Sequence, residues 1–262
     1  MRFSLPRVTP VVKWLLIINI SIFILSTLIP SFAYFLETWF AVNAETWGGA
    51  LQPWRIVTYQ FLHDTRWIWH IFFNMIALFF LGPPLERHWG SKKFLPFYLI
   101  CGASGGLFYL LLAGIGFLGR GIMIGASGSI LGLLSACAIL FPQFIIFVLF
   151  FPVPIRVAAI GFAFAYFLLV ITRGGNAGGN AAHLAGMATG AAYVLLYPKL
   201  GQFKLKARAG SWDKKMEQRR LLQVEVDRIL AKVHRSGLHS LTVREKRILK
   251  KATQEELRRE NV

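Results

Sequence analysis

The chain has 262 residues, of which 55% are hydrophobic and 15% aromatic, and its mean hydropathy is +0.54. These values exclude an ordinary soluble domain and indicate a protein that crosses the membrane several times. Long apolar runs recur, which favours an all-α, polytopic bundle of transmembrane helices over a membrane β-barrel. Cys101 and Cys137 both lie in apolar segments, so neither a disulfide framework nor a metal site follows from them.

The net charge of +17 is unevenly distributed. Of the 29 lysines and arginines, 18 follow Pro198, and no acidic residue lies between Arg87 and Trp212. Because cytoplasmic segments retain basic residues, this distribution indicates membrane topology rather than binding to nucleic acid. The predicted orientation has both termini in the cytoplasm, with 25 of the 29 basic residues on that side.

Six transmembrane spans are predicted. The first, with Arg2 and Arg7 before it and Lys13 near its start, is interpreted as a retained helix, because no convincing signal-peptide cleavage site follows it. The outer loop 31–68 is rich in tryptophan, so we expect it to lie partly in the outer leaflet. The prolines of 142–154 predict an inner re-entrant or extended connection. The spans are 11–29, 69–84, 94–113, 127–141, 155–172 and 181–197, and the loop tryptophans are Trp39, Trp47, Trp54 and Trp67.

The segment 199–262 is predicted to be a separate soluble unit that follows a membrane domain at 1–198. A helix is expected from Asp213 to Arg235, and Thr242 to Glu245 has the pattern of a capping box that opens a second helix. The resulting helical hairpin carries 18 basic and 8 acidic residues. Binding to anionic lipid, binding to a cytoplasmic partner and simple solvation are all compatible with this charge.

The sequence Gly125-Ala126-Ser127-Gly128 precedes a purely apolar helix. A serine that opens a helix lies beside backbone N–H groups without intrahelical partners, which suits the binding of an oxyanion. The alternative interpretation is a helix cap or a small packing residue. The predicted helix is about 22 Å long and the hydrocarbon core about 30 Å thick, so Ser127 is expected below the outer surface.

Three further polar side chains are predicted at a similar depth. His70 and Asn74 lie one turn apart on the second span, and His183 lies near the outer end of the sixth. A lone intramembrane histidine is also compatible with an interhelical hydrogen bond, but polar residues in spans are functional candidates. His183 can accept the proton of a Ser127 nucleophile, and His70, Asn74 and the Ser127 N–H can stabilise an oxyanion. With no acidic residue near His183, a Ser127–His183 dyad is predicted rather than a triad.

Glycines at four-residue spacing occur on the fourth and sixth spans. Small residues on one face allow two helices to approach closely, which would bring the proposed nucleophile and base together. Leucine in place of Gly190 is therefore expected to be disruptive and alanine much milder, with Val194 facing outward. The glycines are Gly128 and Gly132 on the fourth span and Gly186 and Gly190 on the sixth.

These motifs together resemble the rhomboid family of intramembrane serine proteases. The resemblance covers residues 54–190 and implies Ser127 as nucleophile, His183 as base, and His70 and Asn74 as oxyanion stabilisers. Many members carry an aromatic residue against the histidine at a position that is Leu131 in this chain. The matching segments are Trp54-Arg55 in the outer loop, His70-xxx-Asn74, Glu86-xxx-Gly90, Gly125-Ala126-Ser127-Gly128 and Ala182-His183-xx-Gly186-xxx-Gly190.

The resemblance implies hydrolysis of peptide bonds in or near transmembrane segments of other proteins, with no cofactor and no metal. The alternative is a catalytically inactive rhomboid-like protein that binds transmembrane helices, although both Ser127 and His183 are present. A transporter or channel is disfavoured because the spans show no charged pathway. The expected partners are transmembrane substrates and membrane lipids. The compact chain, without a recognisable organelle-targeting segment, favours a bacterial inner membrane.

Overall fold

The computed structural model describes residues 7–46, 52–148 and 151–260 and is predominantly helical, as predicted. Arg2 and Trp47, named above, lie outside the described residues. The helices are α1 (Pro10–Leu28), α2 (Pro30–Phe40), α3 (Arg55–Thr58), α4 (Ile68–Trp89), α5 (Ser91–Gly114), α6 (Ser127–Leu140), α7 (Ile155–Ile171), α8 (Ala177–Ser236) and α9 (Val243–Glu260). The strands are β1 (Val42–Asn43), β2 (Ile122–Met123), β3 (Ile145–Val148) and β4 (Phe151–Pro154).

Three of the helices, α1, α4 and α5, are long and apolar enough to cross a bilayer. Helices α6 and α7 are also apolar, but they have only 14 and 17 residues. The architecture is therefore a helical membrane bundle, while the count of six spans and their orientation stay predictions.

Helix α6 lies at the centre of the bundle. Every residue from Gly128 to Ala138 is buried, and α6 packs against α4, α5 and α7. A helix that is apolar on all sides is stable when other helices surround it, which explains why α6 lacks a polar face. Helix α6 has only 14 residues, and its first residue, Ser127, closely follows strand β2.

Two connections contain short strands. Strands β3 and β4 form an antiparallel hairpin that pairs Ile145 with Pro154, so the extended form predicted for this proline-rich stretch is confirmed. Strand β1, in the outer loop, pairs with β2, which shortly precedes α6. The outer loop is thereby attached to the segment that leads to Ser127.

The pair Trp54-Arg55 holds the outer loop together. The Arg55 guanidinium is 5% exposed and donates to the backbone oxygens of Thr38 and Ala41, at 2.5 and 2.8 Å. These oxygens lie at the end of α2, where the last carbonyl groups of a helix lack intrahelical partners. The indole N–H of Trp54 donates to the backbone oxygen of Trp39 at 3.0 Å. Both side chains therefore fix the position of α2.

The buried carboxylate of Glu86 joins α1, α4 and α5. It accepts hydrogen bonds from the backbone N–H groups of Val11 and Val12, each at 3.0 Å. These amides belong to the first turn of α1, where no intrahelical acceptor is available. The hydroxyl of Ser91, at the start of α5, donates to the same carboxylate at 2.6 Å, and the hydroxyl of Thr9 donates as well. An acid at a helix N-terminus also complements the helix dipole.

Gly90 separates α4 from α5. Its φ of +78° lies in the region that favours glycine, and its N–H donates to the Glu86 carbonyl oxygen at 2.8 Å. The pattern Glu86-xxx-Gly90 therefore combines a helix stop with the carboxylate that organises three helix ends.

The chain divides into two compact units, Met1–Tyr197 and Pro198–Val262. Helix α8 is continuous from Ala177 to Ser236, so the predicted end of the sixth span at 197 and the predicted start of a tail helix at Asp213 are wrong. Lysine, arginine, leucine and alanine in 199–212 favour a helix, although Gly201 and Gly210 do not. In the second unit, the predicted capping box is present. The Glu245 N–H donates to Thr242 Oγ1 at 3.2 Å, and the Thr242 N–H donates to a Glu245 carboxylate oxygen at 2.8 Å.

Replacement of Glu86 tests whether its carboxylate holds the helix ends. In Glu86→Ala, the first-turn amides of α1 lose a charged acceptor. Because hydrogen bonds to charged groups contribute about 1.5–3 kcal/mol each, we expect the free energy of unfolding to fall by about 3 kcal/mol. Thermal unfolding in detergent measures this loss, and exposed Glu37→Ala is the control. Equal melting temperatures for the two variants would contradict the assignment.

Candidate active site

Ser127 and His183 are joined by a hydrogen bond. The distance from Ser127 Oγ to His183 Nε2 is 2.7 Å, and both side chains are half-buried. Ser127 is the first residue of α6, and His183 lies in the second turn of α8. A hydroxyl and an imidazole nitrogen at this distance have the geometry needed for proton transfer.

The glycines of α6 and α8 bring the two backbones into contact. A Cβ atom added to Gly186 would lie 2.1 Å from the backbone oxygen of Gly128, and one added to Gly190 would lie 2.3 Å from that of Gly132. No side chain fits at such distances, so only glycine permits this approach. His183 lies three residues before Gly186, and Ser127 directly precedes Gly128, so the contact brings their side chains within reach.

Two expectations about the glycine face of α8 are wrong. Alanine at Gly190 was expected to be much milder than leucine, but its Cβ atom alone would collide with the backbone of α6. Val194 was expected to face outward, yet it is 9% exposed and packs in the core. A glycine pattern indicates which face is in contact, but it does not give the distance between the backbones.

His70 lies beside the segment that leads to Ser127. Gly125 has a φ of +127°, and a Cβ atom added there would lie 2.7 Å from His70 Nε2 and 3.8 Å from Ser127 Oγ. The backbone N–H of Asp64 donates to His70 Nδ1 at 3.3 Å. A ring nitrogen that accepts a hydrogen bond carries no proton, so the proton of neutral His70 is on Nε2, the nitrogen beside Gly125.

Asn74 is buried at 7% exposure, and its amide donates to the backbone oxygen of His70 at 2.6 Å. No hydrogen bond joins Asn74 or His70 to Ser127 within the described ranges. The structure thus brings together Ser127, His183 and His70, and it connects Asn74 to this group through the backbone of His70.

The outer loop and α5 support the nucleophile segment through contacts that the sequence analysis missed. The Gly125 N–H donates to the Tyr59 backbone oxygen at 3.0 Å, and the Tyr59 hydroxyl donates to the Gly102 backbone oxygen at 2.7 Å. Ser129, on the first turn of α6, donates to the side-chain oxygen of fully buried Gln60 at 2.6 Å. Gln60 lies in the outer loop with several other polar residues, so its position in the sequence did not indicate this role.

Tyr166 of α7 packs against His183 and was also missed. The two ring centroids are 4.6 Å apart with an interplanar angle of 61°, an edge-to-face contact. Leu131, the residue one turn after Ser127, offers no ring. Tyr166 was hidden in the sequence because it lies in a span with many other aromatic residues.

His63 lies behind His70 in the outer loop. Its side chain is 5% exposed, and its ring contacts the His70 ring edge to face, with centroids 5.0 Å apart. Burial, together with the neighbouring His70, lowers the pKa of His63 to about 3. His63 is therefore neutral at pH 7.

Comparison with known proteins identifies the family to which this chain belongs. The family model "Rhomboid domain" matches residues 50–199, which is more than half of the chain. The chain therefore belongs to the rhomboid family, and it is an integral membrane protein. A second model, "Family of unknown function (DUF6576)", matches residues 213–255.

Among curated relatives, Rhomboid protein 1, mitochondrial, of Saccharomyces cerevisiae is 32% identical over 159 residues, or 55% of this chain and 43% of the relative. RHOMBOID-like protein 12, mitochondrial, of Arabidopsis thaliana is 31% identical over 52% of this chain and 44% of the relative. Rhomboid-like protease 3 of Toxoplasma gondii is 38% identical over 23% and 22%, respectively. The chain thus spans less than half the length of these relatives. None of these matches supports the expected bacterial inner membrane.

The backbone contact between α6 and α8 predicts that even a methyl group at Gly190 destabilises the protein. In Gly190→Ala, the added methyl group forces the two backbones apart, and overpacking of this kind costs about 1–3 kcal/mol of unfolding free energy. Gly190→Leu is expected to cost at least as much. Ala188→Leu, at an exposed position of the same helix, is the control. If thermal unfolding in detergent shows Gly190→Ala to be as stable as the wild type, the helices are not in backbone contact.

The buried neutral His63 predicts a dependence of stability on pH. Below about pH 6.5 an exposed histidine of the unfolded chain takes up a proton, whereas folded His63 stays neutral until about pH 3. This contribution to stability is therefore complete above pH 6.5 and is lost as the pH falls, by about 1.4 kcal/mol per pH unit. In His63→Phe, melting temperatures between pH 7.5 and 5 should fall less steeply than in the wild type. Parallel curves would refute the prediction, and exposed His234→Phe should follow the wild type.

Proposed function

We propose that the chain is a rhomboid-type serine endopeptidase that hydrolyses peptide bonds in or near transmembrane segments of membrane proteins. The observation that carries the proposal is the 2.7 Å hydrogen bond between Ser127 Oγ and His183 Nε2. Membership of the rhomboid family supports it, because the paired groups belong to the matched region.

In the proposed reaction, Ser127 is the nucleophile and His183 the general base. The hydroxyl proton moves to His183 Nε2 as Oγ bonds to the carbonyl carbon of the substrate, giving a tetrahedral intermediate. The protonated imidazole then donates this proton to the leaving amine, and the peptide C–N bond breaks. Water, deprotonated by His183, releases the acyl group from Ser127 in the second half of the reaction.

The oxyanion of the intermediate requires hydrogen-bond donors. The backbone N–H of Ser127 lies at the free N-terminus of α6, and the Nε2 proton of His70 lies beside Gly125. We assign the oxyanion site to these two donors and to Asn74, whose NH₂ group has a second proton besides the one donated to the His70 backbone. The proposed reaction uses no cofactor and no metal.

We further propose a division into a six-span protease domain, 1–198, and a basic cytoplasmic tail, 199–262. The boundary between the compact units, after Tyr197, and the separate family matches at 50–199 and 213–255 support this division. The charge of the tail supports anionic lipid or a cytoplasmic protein as its partner.

Labelling with a fluorophosphonate, which reacts only with an activated serine, tests the proposal. We expect the wild-type protein to be labelled and to cleave a model transmembrane substrate. Ser127→Ala and His183→Ala are each expected to lose labelling and about 10³-fold or more in cleavage rate, because the two groups act as a unit.

Two variants serve as matched controls for this experiment. Ser135→Ala removes another hydroxyl from α6, and His234→Ala removes an exposed imidazole; both should behave as the wild type. A folded wild-type protein that is neither labelled nor able to cleave would instead favour the inactive rhomboid-like protein that binds transmembrane helices.

A further inference from the structure

We propose that Tyr166 of α7 is a positioning residue for His183, and that it acts through its aromatic ring and not through its hydroxyl group. This inference rests on the proposed function, since it concerns the base of the Ser127–His183 pair. Among the described residues, Tyr166 has no hydrogen bond or ring contact with Ser127 or with the segment that leads to it.

The imidazole of His183 has few other restraints. Its Nε2 bonds to Ser127, but its Nδ1 is buried and has no hydrogen-bond partner among the residues described. In many serine hydrolases a carboxylate on the second nitrogen fixes the orientation of the base. Rotation of the histidine ring about its Cβ–Cγ bond has broad energy minima, so a single hydrogen bond leaves its orientation poorly defined.

The Tyr166 ring supplies the missing restraint. At a centroid distance of 4.6 Å and an angle of 61°, it packs edge to face on the imidazole, so rotation of the imidazole would break this contact. Phe162, one turn earlier on α7, stacks nearly parallel to Tyr166, with centroids 6.0 Å apart and an angle of 15°. Three rings thus form a row from α7 to the base, and Leu131 of α6 contributes none.

The geometry also makes the orientation of the base depend on the position of α7. The glycine contact fixes the backbone of His183 against α6, whereas its ring packs against a different helix. Much of α7 is exposed, including Ile160 at 71% and Phe164 at 62%. Displacement of α7 would carry Tyr166 away from His183 without moving the α6–α8 contact.

The test compares three substitutions on α7 in the full-length protein. Tyr166→Leu removes the ring and should lower kcat for a transmembrane substrate about tenfold, with little change in KM, because a misoriented base affects the chemical step. Tyr166→Phe keeps the ring and should stay within about twofold of the wild type. Phe167→Leu removes an exposed ring of the same helix and is the control.

The rate of fluorophosphonate labelling provides the second measurement. A small reagent does not need to enter between helices, so its reaction reports activation of Ser127 alone. We expect Tyr166→Leu to slow labelling by a factor similar to the loss in kcat. Loss of cleavage with unchanged labelling would show that Tyr166 controls substrate entry, which would overturn the inference.

Phe162→Leu keeps the test decisive if Tyr166→Leu does not fold. It removes the ring behind Tyr166 without touching His183, and kcat should fall about threefold. Wild-type kcat in folded Tyr166→Leu or, if that variant does not fold, in Phe162→Leu would refute the positioning role while leaving the proposed function intact. Failure of the proposed function is recognised separately, because the wild-type protein would then show no Ser127-dependent labelling.

Discussion

The backbone contact between α6 and α8 is the constraint on which the site depends. Four glycines allow two helices to meet without intervening side chains, at positions directly after Ser127 and shortly after His183. The serine side chain is short, with a single rotatable bond between its backbone and its hydroxyl group. Its hydrogen bond to His183 therefore requires the two backbones to be close. The proposed catalysis therefore depends on helix packing as much as on the chemistry of the two side chains.

The remaining parts of the site depend on the outer loop. Backbone groups of Tyr59 and Asp64 bind Gly125 and His70, and strand pairing attaches the same loop to the residues before α6. Arg55 in turn fixes the middle of this loop to the end of α2, which forms the first part of the loop. Polar contacts to backbone groups thus connect α2, through this loop, to the nucleophile segment.

The sequence predicted the helical class and, to within one residue, both ends of α1, α6 and α7, because apolar runs and glycine or proline stops are local signals. The start of α6 at Ser127 and the end of α7 near Thr172 follow from such signals. The sequence analysis missed α2, which lies in the segment predicted as the outer loop, and it ended the sixth span at 197 although α8 continues to Ser236. Contacts between distant residues were harder to predict. Glu86 with Val12, and Tyr166 with His183, are pairs that no periodicity reveals, since each partner is ordinary in its own segment. The sequence likewise indicated the glycine faces of α6 and α8 but not that even one methyl group would collide there.

The position of Glu86 has a consequence for the order in which the chain assembles. Its carboxylate accepts from the amides of Val11 and Val12, which are synthesised some 75 residues earlier. Until the carboxyl end of α4 emerges, those amides depend on water or lipid headgroups for hydrogen bonds. The first turn of α1 therefore lacks its acceptor until α4 has been synthesised, and the packing of α1 is complete only then.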